Sequence, residues 1–224
     1  MIDDKTGTVA FTSCKGGAGK TTLSVNTAVA LPINVLLIDL GGGASRFFPV
    51  TPIDIEKITP DIEAYKDNRT KNLHVIPLAV DPASVWRIEN WEEIFNNLTN
   101  AVRKNIVKYS IDAVFLDMYQ LSRITPIEVF GLDKADIVVL VVEGYEDCGK
   151  PLALVKKFFD AKVVTVLNKH ERGIEYPGAT IKIPFSATLD YYNRRGQLYT
   201  KPVTKLAEYL LQELKRVTRS RWFE

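Results

Sequence analysis

Seven runs of aliphatic and β-branched residues recur along the chain, at Thr8 to Ser13, Asn34 to Leu40, Leu73 to Leu78, Ile111 to Asp117, Ile137 to Val142, Val163 to Leu167 and Thr180 to Ile183. Some, such as Ile137-Val138-Val139-Leu140-Val141-Val142, are apolar at every position rather than at alternate ones. A strand that is apolar on both sides must be covered on both sides, which is the condition of a parallel sheet between layers of helix. Helical spacing fills the intervals, at Lys20 to Leu31, roughly Ile88 to Tyr109, Ile124 to Gly131, Pro151 to Phe159 and Val203 to Val217. In the last of these Leu206, Leu210 and Leu214 repeat at four-residue steps with Ala207 and Leu211 beside them, so one stripe faces a core. The pattern predicts an α/β domain of three layers with a mostly parallel central sheet of about seven strands flanked by helices. Arg46 to Asn72, with Pro49, Pro52 and Pro60, is the least regular stretch.

Composition narrows this picture without changing it. A chain of 224 residues, 46% hydrophobic and 25% charged, fits one domain over 1–224 that buries its own core. The formal net charge of +2 gives no global attraction to nucleic acid or anionic membrane, so any such binding needs a local patch. No apolar run reaches about 18 residues, and Met1-Ile2-Asp3-Asp4-Lys5 lacks the basic and apolar regions of a signal peptide. A cytoplasmic location is the expectation. Cys14 and Cys148 form no C-x-x-C pair and are expected as free thiols in a reducing compartment. His74 and His170 have no metal-ligand spacing to partners.

The chemistry lies between the first strand and the first helix. Ser13-Cys14-Lys15-Gly16-Gly17-Ala18-Gly19-Lys20-Thr21-Thr22 reads as a phosphate-binding loop. Glycines let backbone N–H groups turn toward phosphate oxygens, and the following helix points its positive end at them. Lys20 supplies a charge near the β- and γ-phosphates, and the Thr21 hydroxyl is a magnesium ligand. Ligands of an open α/β sheet bind beyond the carboxyl ends of its strands, so the strand-terminal acids Asp39 and Asp117 are the next candidates. Ile111 to Asp117 has the apolar-strand-then-Asp form of a Walker B element. Either acid alone also suits the capping of a turn.

With Lys15 preceding Gly16-Gly17-Ala18-Gly19-Lys20-Thr21-Thr22, the loop resembles the deviant phosphate loop of the ParA/MinD superfamily of P-loop ATPases. The resemblance extends over most of the chain. Asn72 to Pro77 is similar to the family's Asn-Leu-x-Val-Ile-Pro strand, Val142-Glu143-Gly144-Tyr145-Glu146 stands where the family has a Glu-Tyr turn, and Val166-Leu167-Asn168-Lys169 resembles the strand whose Asn recognises adenine. Ile183-Pro184-Phe185 looks like the segment that flanks the base. The resemblance implies ATP and Mg2+ as ligands, with Thr21, Asp39 and Asp117 at the metal, and nucleotide contacts from the loop, Asn168 and Pro184. Lys15, Lys20 and Asp39 are the catalytic residues it implies, with Lys15 reaching the other subunit's nucleotide in an ATP-bound homodimer.

Two departures separate nucleotide binding from turnover. The family's second strand ends in Asp-x-Asp, whose second acid helps organise the attacking water, and here Asp39-Leu40-Gly41 places glycine there. The Cys/Thr-Pro-Pro segment after the Walker B strand is replaced by Met118-Tyr119-Gln120. Slow basal hydrolysis is expected. The leading reading is a ParA-like partition ATPase that binds duplex DNA nonspecifically and answers to a ParB-like DNA-binding adaptor, with Lys150, Lys156, Lys157, Arg194, Arg195, Lys205, Lys215, Arg216, Arg219 and Arg221 as the basic candidates. The alternatives are a MinD-like positioning ATPase on a membrane and a slowly hydrolysing assembly or regulatory module. The tail from Arg216 to Phe223 is too short for a long amphipathic face, so membrane binding is disfavoured and Trp222 and Phe223 are expected to pack back on the body.

Overall fold

A computed structural model describes residues 5–81, 85–121, 125–144, 148–171, 176, 178–217 and 220–223. Among them nine strands form one sheet: β1 Gly7–Ser13, β2 Val35–Asp39, β3 Ile53–Asp54, β4 Tyr65–Lys66, β5 Leu73–Ala79, β6 Ala113–Gln120, β7 Ile137–Val142, β8 Lys162–His170 and β9 Ile181–Pro184. Their order across the sheet is β3-β5-β2-β6-β1-β7-β8-β9, with β4 pairing β5. Every ladder is parallel except that of β4. The seven longer strands fall on the seven apolar runs. The two additions, β3 and β4, are two residues long and lie in the irregular stretch, where so short a segment carries no period to read.

Both sides of the sheet are buried, and side chains alternate between them. Val9, Phe11, Leu37, Phe115 and Val139 pack in one core with Leu23 and Ala28 of α1 (Lys20–Ala30) and Leu206 and Leu210 of α6 (Thr204–Leu214). Ala10, Leu36, Leu116 and Val138 point the other way, toward Ile94, Leu98, Val102 and Ile106 of α2 (Trp91–Tyr109) and Ile127 and Phe130 of α3 (Pro126–Lys134). Val155 of α4 (Gly149–Phe158) joins this second core. Residues one apart on a strand thus serve different layers, which explains why the central strands are apolar along most of their length rather than at alternate positions.

Local sequence sets the helix ends. Pro126 starts α3 within a capping box, where Glu128 accepts the Thr125 backbone N–H at 2.8 Å. An eight-residue helix, α5 (Ala187–Arg194), stands where the apolar pattern gave none. Its signal in the sequence is Ser186, whose hydroxyl accepts the Leu189 N–H at 3.1 Å as an N-cap. At the far end Trp222 is fully buried, donating its indole N–H to the Thr8 hydroxyl at 2.9 Å and meeting the Phe130 ring edge at 5.9 Å. Arg221 fastens the same segment to Asp136 at 3.3 Å. Because the strands run parallel, the carboxyl ends of β1, β2, β6, β7 and β8 share one edge of the sheet, and the candidate residues collect there.

Candidate functional site

The loop between β1 and α1 turns on two left-handed glycines, Gly17 at φ 81° and Gly19 at φ 92°. An L side chain is disfavoured in that region, and at Gly19 a Cβ would also lie 2.4 Å from the Asn168 amide nitrogen. Gly19 caps α1 without a side-chain bond, and the first turn carries no acid. The positive end of the helix is therefore left without a counter-charge inside its own sequence, as an anion site requires. Lys20 opens this turn, half-buried; burial lowers its pKa, and the nearby Asp117 charge opposes the shift.

Asp39 and Asp117 are register partners on neighbouring strands, both fully buried. They do different work. The Asp39 carboxylate accepts backbone N–H groups of Gly43 at 3.0 Å, Ala44 at 2.8 Å and Ser45 at 3.1 Å, so it holds the turn that follows β2. Neither Asp117 oxygen has a hydrogen-bond partner among the described residues, although the Thr21 and Ser24 hydroxyls and Lys20 are its neighbours. Burial raises both pKa values, Asp39 further because of the Asp117 charge. An orphaned buried carboxylate beside a threonine hydroxyl is a hard oxygen donor set short of a cation, and it fits Mg2+, which keeps most of its shell for water and phosphate. Thr21 and Asp117 would hold the ion directly or through water, and it would neutralise charge on the β- and γ-phosphates. Among the described residues no group of three or more His, Cys, Asp and Glu forms a closed metal cage.

Lys15 is half exposed and pairs at 3.5 Å with Glu143 at the end of β7. Glu143 also pairs with Lys169, whose ammonium donates to the Gly17 carbonyl at 3.1 Å. Asn168 is buried and donates its amide to the Ala18 carbonyl at 2.8 Å, so the end of β8 is tied to the loop. Gly19, Asn168, Pro184 and Phe185 line one small cleft beside α1, the place expected of a base pocket. One residue on its rim is not legible from motif: Asn193 of α5 accepts both the Thr22 hydroxyl at 2.7 Å and the Arg46 guanidinium at 3.0 Å. Tyr145 and Glu146 of the Glu-Tyr turn, and Arg219 of the tail, lie outside the described residues.

The structure corrects the expectation of free thiols. Cys14 and Cys148 form a disulfide, with Cα atoms 5.7 Å apart. β1 and β7 are adjacent and parallel, so the first residue of the loop and the N-cap of α4 emerge side by side although 134 residues separate them. The bond ties the start of the loop to the buried N-cap of α4, and the two cysteines no longer point to a reducing compartment.

Position 41 is also shaped by its neighbours. Gly41 donates to the Asp117 carbonyl at 2.8 Å, and a Cβ there would meet the Met118 carbonyl oxygen at 3.2 Å. That neighbour is strand backbone and cannot easily move, so an acid at 41 requires β2 and β6 to shift. The replaced relay segment is no flexible turn either: β6 continues through Gln120, and the Thr12 hydroxyl bonds the Tyr119 carbonyl at 2.8 Å. Of the basic candidates, Arg194 pairs with Asp190 at 2.8 Å, Arg216 with Glu213 at 2.9 Å, and Arg195 lies 3.7 Å over the Tyr191 ring. Lys150, Lys156 and Lys157 on α4 and Lys205 and Lys215 at α6 are exposed. No helix among the described residues is long and apolar enough to cross a membrane.

Residues 9–175 match the sequence profile of the CobQ/CobB/MinD/ParA nucleotide binding domain. No curated protein sequence matches the chain. Among solved structures it is similar to the MinC:MinD cell division protein complex of Aquifex aeolicus, at 20% identity over 92% of this chain and 96% of that one, with a TM-score of 0.72. A ParA family ATPase from Chlorobium tepidum TLS matches at 19% identity over 90% and 98%, with a TM-score of 0.66. Cobyrinic acid a,c-diamide synthase from Mycobacterium smegmatis, with bound ATP analog and magnesium, matches at 17% over 96% and 99%, with a TM-score of 0.70. At such identities the likeness is one of fold, and three different roles share it.

Proposed function

The chain belongs to the CobQ/CobB/MinD/ParA nucleotide-binding domain family, and from that premise we propose that it binds Mg-ATP, dimerises on it and hydrolyses it slowly. The observation that carries the reading is the meeting of Lys20, Thr21 and the unpartnered Asp117 carboxylate at the uncapped end of α1. Solved relatives hold Mg-ADP or an ATP analog with magnesium, which supports the same pair here. Lys20→Ala removes the cation that meets the β/γ-phosphates, a charge-assisted contact of roughly 1.5–3 kcal/mol, so ATP affinity should fall about ten- to a hundredfold. Titration calorimetry giving equal affinities for the wild type and this variant would sink the assignment.

The dimer is the second part of the proposal. Lys15 stands outside its own loop's cradle, and its pair with Glu143 is half-exposed, an interaction worth under about 1 kcal/mol. Exchanging that carboxylate for a phosphate of the partner subunit's nucleotide is therefore easy. For the surface the dimer works on, we propose duplex DNA. The exposed lysines of α4 and α6 suit phosphate contacts, whereas Arg221 and Trp222, which a membrane-binding tail would need, are anchored in the body. A DNA-binding adaptor and a role in partition follow from that surface; MinD-like membrane positioning is the competing reading. Lys15→Ala should keep ATP binding yet lose ATP-dependent dimerisation in sedimentation, and with it any salt-sensitive retention on DNA of unrelated sequences. A variant that dimerises like the wild type refutes the role of Lys15, and flotation with anionic liposomes in place of DNA retention transfers the reading to the membrane.

A further inference from the structure

We propose that Gln120 orients the water that attacks the terminal phosphate, a task that the family gives to the acid missing at position 41; the inference rests on the ATPase reading above. Gln120 is the last residue of β6, three beyond Asp117, and its register partner is Ser13, the residue before the loop. Its side chain lies over the loop: a Cβ built on Gly16 would sit 3.3 Å from the Gln120 amide oxygen. Gln120 is half-buried, and its amide makes no hydrogen bond among the described residues.

Several other polar groups at this edge are already engaged. Asp39 is held by three backbone N–H groups, Glu143 by Lys15 and Lys169, and the Tyr119 hydroxyl donates to the Val80 carbonyl. Asp117 faces Lys20 and Thr21, the cation side. Gln120, whose amide is unengaged among the described residues, has both an acceptor and a donor to offer. An amide needs no change of protonation for this work. Its oxygen accepts a hydrogen bond from the water while its NH2 donates to a γ-phosphoryl oxygen, fixing the line of attack. The water oxygen bonds to phosphorus as the bond to the β-phosphate oxygen breaks, the bonding pair leaving with ADP. The water's protons stay with inorganic phosphate or pass to solvent.

The test separates rate from affinity. Gln120→Ala should lower single-turnover ATP hydrolysis by about 10- to 100-fold while binding of a non-hydrolysable ATP analog stays within about twofold, since the amide acts on the water rather than the nucleotide. Gly16→Ala, at a backbone with no positive φ, pushes the amide aside and should slow hydrolysis as well. In the double variant the second substitution should add nothing, the mark of two residues acting through one group. An unchanged rate in Gln120→Ala, a fall in rate matched by a fall in affinity, additive effects in the cycle, or a wild type that binds ATP and never hydrolyses it would each overturn the proposal. Failure of the wild type to bind ATP at all would instead remove the nucleotide reading and take this proposal with it.

Discussion

Reducing the Cys14–Cys148 disulfide should lower the melting temperature by about 5–15 °C. The bond closes a loop of 134 residues, more than half of the chain. In the chain-entropy account, closing a loop of that length removes freedom from the unfolded state worth about 5 kcal/mol, and measured cases cluster at about 2–4 kcal/mol. A domain of this size loses roughly 2–4 °C per kcal/mol. Thermal unfolding of the wild type with and without a small dithiol, beside Cys148→Ser without it, measures the effect. The variant should match the reduced wild type and ignore the reductant. Two free thiols titrated in the native, unreduced protein would show that the bond does not form, and identical melting curves would show that it carries no stability. Because Cys14 immediately precedes Lys15, reduction should also loosen the rim of the nucleotide loop, so ATP-dependent dimerisation is worth following in the same samples.

That bond also shows where the sequence stops being legible. The seven long strands could be read because a strand covered on both faces announces itself locally, as Ile137 to Val142 does. The loop could be read because its chemistry is contiguous, and Asp39 and Asp117 because each ends an apolar run at the edge where ligands of such sheets bind. Pairings across the sheet have no such local trace. Cys14 meets Cys148, Gln120 meets Gly16, and Asn193 meets Thr22 and Arg46 only because β1 lies between β6 and β7 and because α5 folds back beside α1. The two acids look equivalent in sequence and are not. Asp39 is followed by the glycines and small residues whose amides wrap it, whereas Asp117 continues into strand, where backbone N–H groups are spent on the ladder. The basic residues can be counted in the sequence, but only the fold shows which are already paired with Asp190, Glu213 or Asp136.

Replacing Asp117 with asparagine should make the nucleotide-free protein more stable at pH 7.5 by about 1–3 kcal/mol and abolish its response to Mg-ATP. Burial, joined at Asp39 by the neighbouring Asp117 charge, pushes the pKa values up to about 7 for Asp39 and about 6 for Asp117, where the Lys20 charge opposes the shift. In the unfolded chain both sit near 4. Between those values the folded state holds more protons than the unfolded one, so stability falls as pH rises. The favourable contribution is full below about pH 4 and is lost as pH climbs through about 6 to 7. The substituted amide carries no charge to repel Asp39, so in Asp117→Asn the Asp39 carboxyl ionises more readily and the decline with pH becomes shallower. The nucleotide-free wild type therefore stores repulsion at the place where a divalent cation would relieve it. Mg-ATP should raise the wild-type melting temperature strongly at pH 7.5 and do little for Asp117→Asn, which has gained stability by giving up the ion's anchor. Melting curves from pH 5 to 8, with and without Mg-ATP, measure all of this. A variant less stable than the wild type without nucleotide, or protected by Mg-ATP to the same degree, would mean that the orphaned carboxylate is not waiting for a cation and that the metal is held elsewhere.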